Sequence, residues 1–256
     1  MADIIQSMWV GSRLSVMERM CIASFLDHGH PFHLYAYELI DGVPDGTVLK
    51  DANEILPASS IFMYTEYASY AGFSNFFRYK LLLERGGWWV DTDLLCIRPF
   101  DFADPYVFSR EQGGDGPRVN VGAIKAPPGS RVMQYAWDAC AATDPKELKW
   151  GQIGPRLAAA AVEACSLQEY VRPPHVFCPL HFTDRIRMLD PAATWTFSDE
   201  TVGIHMWNEL WRRDNQSKDA TYDEGCLYEA LKRRYVRSYK NDVLVKNSTN
   251  SSAAFT

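Results

Sequence analysis

The chain has 256 residues, with 26 basic and 32 acidic side chains and a formal net charge of −6. That length suits one sizeable domain or two small ones at ~100–200 residues each. A hydrophobic share of 47% with 23% charged residues excludes wholesale disorder, and the acidic balance argues against generic binding to nucleic-acid backbones, which takes a surplus of Lys and Arg.

Met1-Ala2-Asp3 carries no basic region, and Gln6, Ser7 and Arg13 interrupt the apolar stretch behind it, so no secretory signal is expected at this start. No apolar run reaches the ~18 residues a membrane-spanning helix needs. Six cysteines are scattered without a C-x-x-C pair, which reads as reduced thiols rather than a disulfide framework or a zinc site. The expected location is the cytoplasm.

Ile4 to Val10 is rich in β-branched and aromatic residues and stops at Gly11, a strand followed by a turn. Ser15 is placed to cap a helix through Met17, Met20 and Cys21 to Leu26, and His28-Gly29-His30-Pro31 breaks it. Phe32 to Glu38 alternates as a second strand, and Asp41 to Asp45 is turn chemistry. This β-α-β order predicts a parallel sheet with helices on its faces. Ser74 is the expected cap of a helix through Phe77, Leu81 and Leu82 to Arg85, ended by Gly86-Gly87. The strand Trp88-Trp89-Val90 then delivers Asp91-Thr92-Asp93 to its carboxyl end, where open α/β sheets bind ligands. Val119 to Lys125 and Val202 to Trp207 read as further strands, and Ser130 to Ala142 and Pro155 to Cys165 as helices. Residues 1–246 are expected to form one domain, and the polar tail 247–256 to be frayed.

Asp91 and Asp93 lead the candidates for chemistry. Two carboxylates two apart on a strand share a face, and at a strand end they can converge on a hard cation such as Mn²⁺ or Mg²⁺. D-x-D is common in solvated loops, but here it follows a helix stop and a strand of two tryptophans and a valine. Asn75 and Arg78, three apart, share a face of the preceding helix and offer donors and an acceptor to sugar hydroxyls or phosphate oxygens. His28, His30 and His33 have irregular spacing and read as a solvated loop, and Cys178 between His175 and His181 as a buried thiol. Lys232, Arg233, Arg234, Arg237 and Lys240 put five cations and no acid into nine residues, a candidate contact with anionic headgroups on the inner face of a membrane.

The run SNFFRYKLLLERGGWWVDTD, residues 74–93, resembles the donor-sugar-binding region of retaining glycosyltransferases with a D-x-D motif, specifically family 32 and its α1,4-galactosyltransferase-like branch. Asn120 to Ile124, Gly151 to Arg156 and Gly203 to Asn208 are similar to later segments of that branch, and Met8-Trp9-Val10-Gly11 to its W-[IV]-G element. The resemblance implies a GT-A type α/β fold with a Rossmann-like, mostly parallel sheet. It implies a hexosyltransferase that uses Mn²⁺ or Mg²⁺ to move a sugar from a UDP-sugar to a glycan or glycolipid acceptor with retention, as in polysaccharide biosynthesis. Residue by residue, it implies that Asp93, Asp91 and His205 hold the metal and that Arg78 and Asn75 meet the donor sugar. Met8, Trp9 and Val10 would receive the base, Trp207 with Asn208 would close over the diphosphate, and Gln152 and Asn120 would lie near the reacting centre. The family usually has Asp where this chain has Asn75, which changes the pattern that reads sugar hydroxyls. The alternatives are a catalytically silent nucleotide-sugar-binding protein and a metal-dependent phosphohydrolase or nucleotidyltransferase, for which paired acids serve equally well.

Overall fold

The computed structural model describes residues 2–113 and 119–236. Eight strands run in chain order as β1 (Ile5–Trp9), β2 (Phe32–Ala36), β3 (Val48–Asp51), β4 (Gly87–Val90), β5 (Leu94–Cys96), β6 (Val107–Ser109), β7 (Asn120–Ala126) and β8 (Gly203–His205). The helices are α1 (Val16–Asp27), α2 (Ala71–Arg85), α3 (Arg131–Ala141), α4 (Pro155–Ala164), α5 (Pro174–Phe177), α6 (Asn208–Arg213) and α7 (Leu227–Tyr235), with short 3-10 turns between them. The main sheet has the order β3-β2-β1-β4-β7-β6, and β5 and β8 form a separate antiparallel pair. Pairings among β3, β2, β1 and β4 are parallel, whereas β7 runs antiparallel to both β4 and β6. The α/β architecture with a mostly parallel sheet is therefore as expected.

Local chemistry explains the best-read elements. Glu18 accepts the Ser15 N–H at 2.8 Å and Ser15 Oγ accepts from Met17 N at 3.3 Å, a reciprocal cap that starts α1. Gly86 and Gly87 take φ of 64° and 84° after α2, and a Cβ on Gly86 would sit 2.4 Å from Pro128 Cδ. The helix stop therefore also allows two loops to touch. Successive residues of a strand face opposite ways, so in β4 Trp89 packs with α2, α3 and α4 on one face while Trp88 and Val90 pack with α1 on the other. A third apolar cluster joins α1 to β5, β8, α6 and α7.

Three readings need correction, and three short strands were not foreseen. Helix α2 starts at Ala71, not after Ser74. Ser69 pairs with Tyr64, its hydroxyl accepts the Ala71 N–H at 3.3 Å, and Ser74 lies inside the first turn, where it receives Arg78. His30 is buried rather than solvated. Its Nε2 accepts from Phe100 N at 2.9 Å, so Nδ1 carries the proton donated to Asp3 O at 3.0 Å. The strands β3, β5 and β6 are too short, at 3–4 residues, to show a period. Finally, the basic run is no uniform solvated face. Lys232 is fully buried and bonded to Glu229 and Ala220 O, Arg233 donates to Glu224 O, and Arg234 alone of these three is exposed. A headgroup surface needs free cations side by side, and this arrangement does not provide one. Arg237, Lys240 and the tail 247–256 lie outside the described residues. No helix among the described residues is long and apolar enough to cross a membrane.

Candidate active site

Strand β4 ends at Val90, so a turn rather than strand alternation brings the two aspartates together. Asp91 N donates to Gly122 O at 2.9 Å, Leu94 N closes the turn onto Asp91 O at 3.0 Å, and Met206 N donates to Asp93 O at 2.9 Å. In the β5–β8 register Leu94 faces His205, which carries the imidazole to the turn. One donor atom from each of Asp91, Asp93 and His205 lies within 4.8 Å of the others.

Each carboxylate is held differently. Asp91 Oδ1 is bound by Arg78 Nη2 at 2.9 Å and by the indole N–H of Trp89 at 2.9 Å. Arg78 is buried, spends further donors on Val121 O at 2.5 Å and on Ser74, and rests over the Trp89 ring. Four of its five N–H groups are thus committed to the protein, so Arg78 chiefly positions Asp91. Burial raises the Asp91 pKa, and Arg78 opposes that rise only in part. For Asp93 burial pushes the same way, but the His205 imidazole and the Asn208 N–H, 2.8 Å from Oδ2, hold the carboxyl below its ordinary value. Burial alone would depress His205; the Asp93 carboxylate, 3.4 Å from Nε2, instead raises it well above an ordinary imidazole. Burial also pushes the neighbouring Cys178 thiol upward, in keeping with an inert thiol.

A cavity of about 640 Å³ opens over this cluster, within the ~300–1,000 Å³ of small-molecule sites. Asp91, Asp93, His205, Asn75, Arg78, Asn120 and Trp207 all line it. Asn75 is buried, its side chain makes no hydrogen bond with the described residues, and it stands against Gly154, where a Cβ would come within 3.3 Å of its Nδ2. Asn120 is a brace: Oδ1 accepts from Gly122 N at 2.7 Å and Nδ2 donates to Glu111 at 3.2 Å. Trp207 adopts φ 60° and ψ 44°, uncommon for a bulky residue, with its ring 4.2 Å from that of His205 and its N–H on Leu180 O.

Other expected residues are placed elsewhere. Gln152 is exposed and turns its Oε1 back to Lys149 N, so it does not line the cavity. Met8, Trp9 and Val10 stand at the carboxyl end of β1, also outside the lining, with Trp9 bonded to Arg13 O. Asn208 reaches Asp93 through its backbone, and its buried side-chain oxygen has no partner among the described residues. The lining also contains Tyr64, Glu111, Trp150, Arg156, Glu209 and Arg213, which sequence reasoning did not select. Arg156 ends the Gly151–Arg156 segment, Trp150 precedes it and Glu209 follows Asn208, so nearness to those motifs was the available signal.

The donor set suits a divalent cation. Two carboxylates and an imidazole match Mn²⁺ or Mg²⁺, and His205 presents Nε2 to the Asp93 carboxylate at 3.4 Å. Gly122 supplies the room: a Cβ there would lie 2.8 Å from Asn120 Oδ1, 3.4 Å from Asp91 Oδ2 and 3.5 Å from His205 Nε2. Gly122→Ala is expected to weaken Mn²⁺ binding by about 10–100-fold, the range typical of disturbing a ligand's supports, as titration calorimetry would read it. Unchanged Mn²⁺ affinity would mean that the ion does not use this cradle.

Residues 12–109 match the family described as a glycosyltransferase sugar-binding region containing a DXD motif. The match takes in both aspartates and stops well before His205. No curated protein matches the chain. Among solved structures, the chain is similar to the PaToxG glycosyltransferase at 14% identity and a TM-score of 0.49, over 92% of this chain and 78% of that one. It is also similar to a protein described as a transferase at 9% identity and a TM-score of 0.40, over 66% and 84% of the two chains. The apo glycosyltransferase GlyE of Streptococcus pneumoniae TIGR4 aligns at 10% identity and a TM-score of 0.38, over 68% and 46%.

Proposed function

We propose that this chain is a metal-dependent, retaining glycosyltransferase of the GT-A type that moves a hexose from a UDP-sugar to a glycan or glycolipid acceptor. The observation that carries this reading is the convergence of Asp91, Asp93 and His205 on the floor of a cavity walled by Asn75, inside and beside a segment that matches a sugar-binding DXD region. Asp93 and His205 would hold a divalent ion together with Asp91. Such an ion, when bound, neutralises the charge that grows on a departing diphosphate. Asn75 presents an amide with donors and an acceptor to sugar hydroxyls, a pairing its neighbours leave free. Arg78 fixes the Asp91 carboxylate, and Trp207 shields the site from water. Retention fits an acceptor hydroxyl that enters on the face from which the phosphate departs and gives its proton to the phosphate oxygen. The six cysteines are all free thiols, which supports a reducing compartment such as the cytoplasm.

A thermal-shift panel of UDP-, GDP- and CMP-sugars with and without Mn²⁺ tests the reading. A ligand at about 100 times its Kd adds about 2.7 kcal/mol. A UDP-sugar is expected to raise the Tm only with Mn²⁺, and extended incubation to release free sugar. Sugar phosphate as the product would identify a phosphohydrolase, and no shift with any nucleotide sugar would overturn the proposal.

A further inference from the structure

The cavity has a second wall that the metal cluster does not use. It is built from the Tyr64–Ser69 hairpin, the turn at Trp150-Gly151, the start of α4 at Pro155 and Arg156, and α6. Arg213 lies in the angle between two rings, its guanidinium carbon 3.6 Å from the Tyr67 centroid and 4.0 Å from that of Trp150. Clamped face-on, it offers only its edge. Nε binds Glu209 at 2.9 Å, while Nη2 is buried with no partner among the described residues. The Tyr64 hydroxyl, on a side chain almost fully buried at the cavity, is also without a partner among the described residues. Arg156 is exposed at the start of α4 and forms no ion pair among the described residues. Trp150 is half-buried and contributes ring surface to the lining.

The donor-to-acceptor balance of this wall is one-sided. Guanidinium groups only donate, and a tyrosine hydroxyl that keeps its proton donates too. The one carboxylate here, Glu209, is already taken by Arg212, Arg213 and Ser69. Buried donors left unpaired are destabilising, so such a wall is matched by a ligand rich in acceptor oxygens. Two arginines favour a charged one, and the indole face suits the C–H side of a pyranose ring.

We propose that Tyr64, Trp150, Arg156 and Arg213 form an acceptor subsite for an anionic glycan, a sugar bearing a carboxylate or phosphate. The word acceptor rests on the glycosyltransferase reading; the binding does not. Tryptophan fluorescence titrations of the whole chain with trigalacturonate, phosphorylated maltotriose and neutral maltotriose test it, with UDP and Mn²⁺ present. At least one anionic trisaccharide is expected to bind about tenfold or more tightly than maltotriose, with an affinity that falls as salt rises. Which of the two wins identifies carboxylate or phosphate. Arg156→Gln and Trp150→Phe are expected to weaken that ligand by a factor at least about tenfold larger than their effect on UDP affinity. Equal binding of charged and neutral sugars, no binding of any at millimolar concentration, or an equal loss of UDP affinity in Arg156→Gln would each overturn the proposal. The last result would assign the arginine to the donor phosphates. Anionic binding without turnover of any UDP-sugar would sink the transferase reading and leave the subsite standing.

Discussion

Replacing Asp93 by asparagine is expected to lower metal-dependent turnover of the sugar donor by about 10²–10³-fold or more, the loss typical of removing one preorganised electrostatic group. The fold should tolerate the change, because an amide oxygen can still accept the Asn208 N–H that lies 2.8 Å from Oδ2. The same variant removes the carboxylate that raises the His205 pKa, which gives the experiment a second readout. In the unmodified protein an ion must displace the His205 proton, so Mn²⁺ affinity should climb as pH rises above the ordinary imidazole value toward the raised one. In the asparagine variant that pH dependence should move to lower pH. Stability runs the opposite way for His205: a raised folded pKa contributes stability fully present below about 6.5 and lost as pH climbs through the folded value. Asp93, held low, contributes above about 3.9 and loses its share as pH falls through its folded pKa. Calorimetric Mn²⁺ titrations from pH 5.5 to 8.5, set beside urea unfolding, separate the two trends. A flat metal affinity in the unmodified protein would exclude His205 as a ligand.

The largest stability loss is expected far from the cavity, at Lys232. Its ammonium is fully buried, 2.5 Å from Glu229 Oε1 and 2.7 Å from Ala220 O, and Glu229 also accepts the Tyr222 N–H at 2.9 Å. Removing one partner strands a buried charge, which costs about 3–5 kcal/mol. Lys232→Ala should therefore lower the urea midpoint sharply, and Glu229→Gln with Lys232→Met should recover most of it, since both charges then vanish and the glutamine can still accept from Tyr222. If the double variant is no better than the single one, packing rather than charge pairing dominates at this site.

How much of this was legible beforehand follows from the range of the forces involved. The cap of α1, the glycine stop of α2 and the strand that leads into Asp91-Thr92-Asp93 are set by neighbours a few residues apart, and they read correctly. Lys232 did not: Glu229 stands one turn before it on α7, but the pair is buried only by the packing of α7 on α1, and a run of cations looks the same whether or not it is buried. His30 was misread for a similar reason: the groups on its two nitrogens are 27 and 70 residues away. At the cavity, Asp91, Asp93 and His205 sit in motifs with a recognisable order, whereas Tyr64 and Arg213 have no local signature. Their role arises from a clamp of rings brought together from three segments. Gln152 shows the converse case, since its motif is intact while its side chain turns back to cap its own loop.

His205 reaches the two aspartates on β8, the last strand among the described residues and a member of the small second sheet. During synthesis the six-stranded sheet is complete once β7 has emerged, at residue 126, while the imidazole follows almost eighty residues later. A nascent chain therefore carries two closely spaced carboxylates through a long stretch of translation, with Arg78 and the Trp89 indole beside Asp91 and the imidazole still to come. The β5–β8 pairing that delivers the imidazole also brings the backbone N–H groups of Met206 and Asn208 onto Asp93. Assembly of the candidate metal cluster and closure of the carboxyl-terminal third are thus coupled, and any fragment that ends before β8 lacks the imidazole of that cluster.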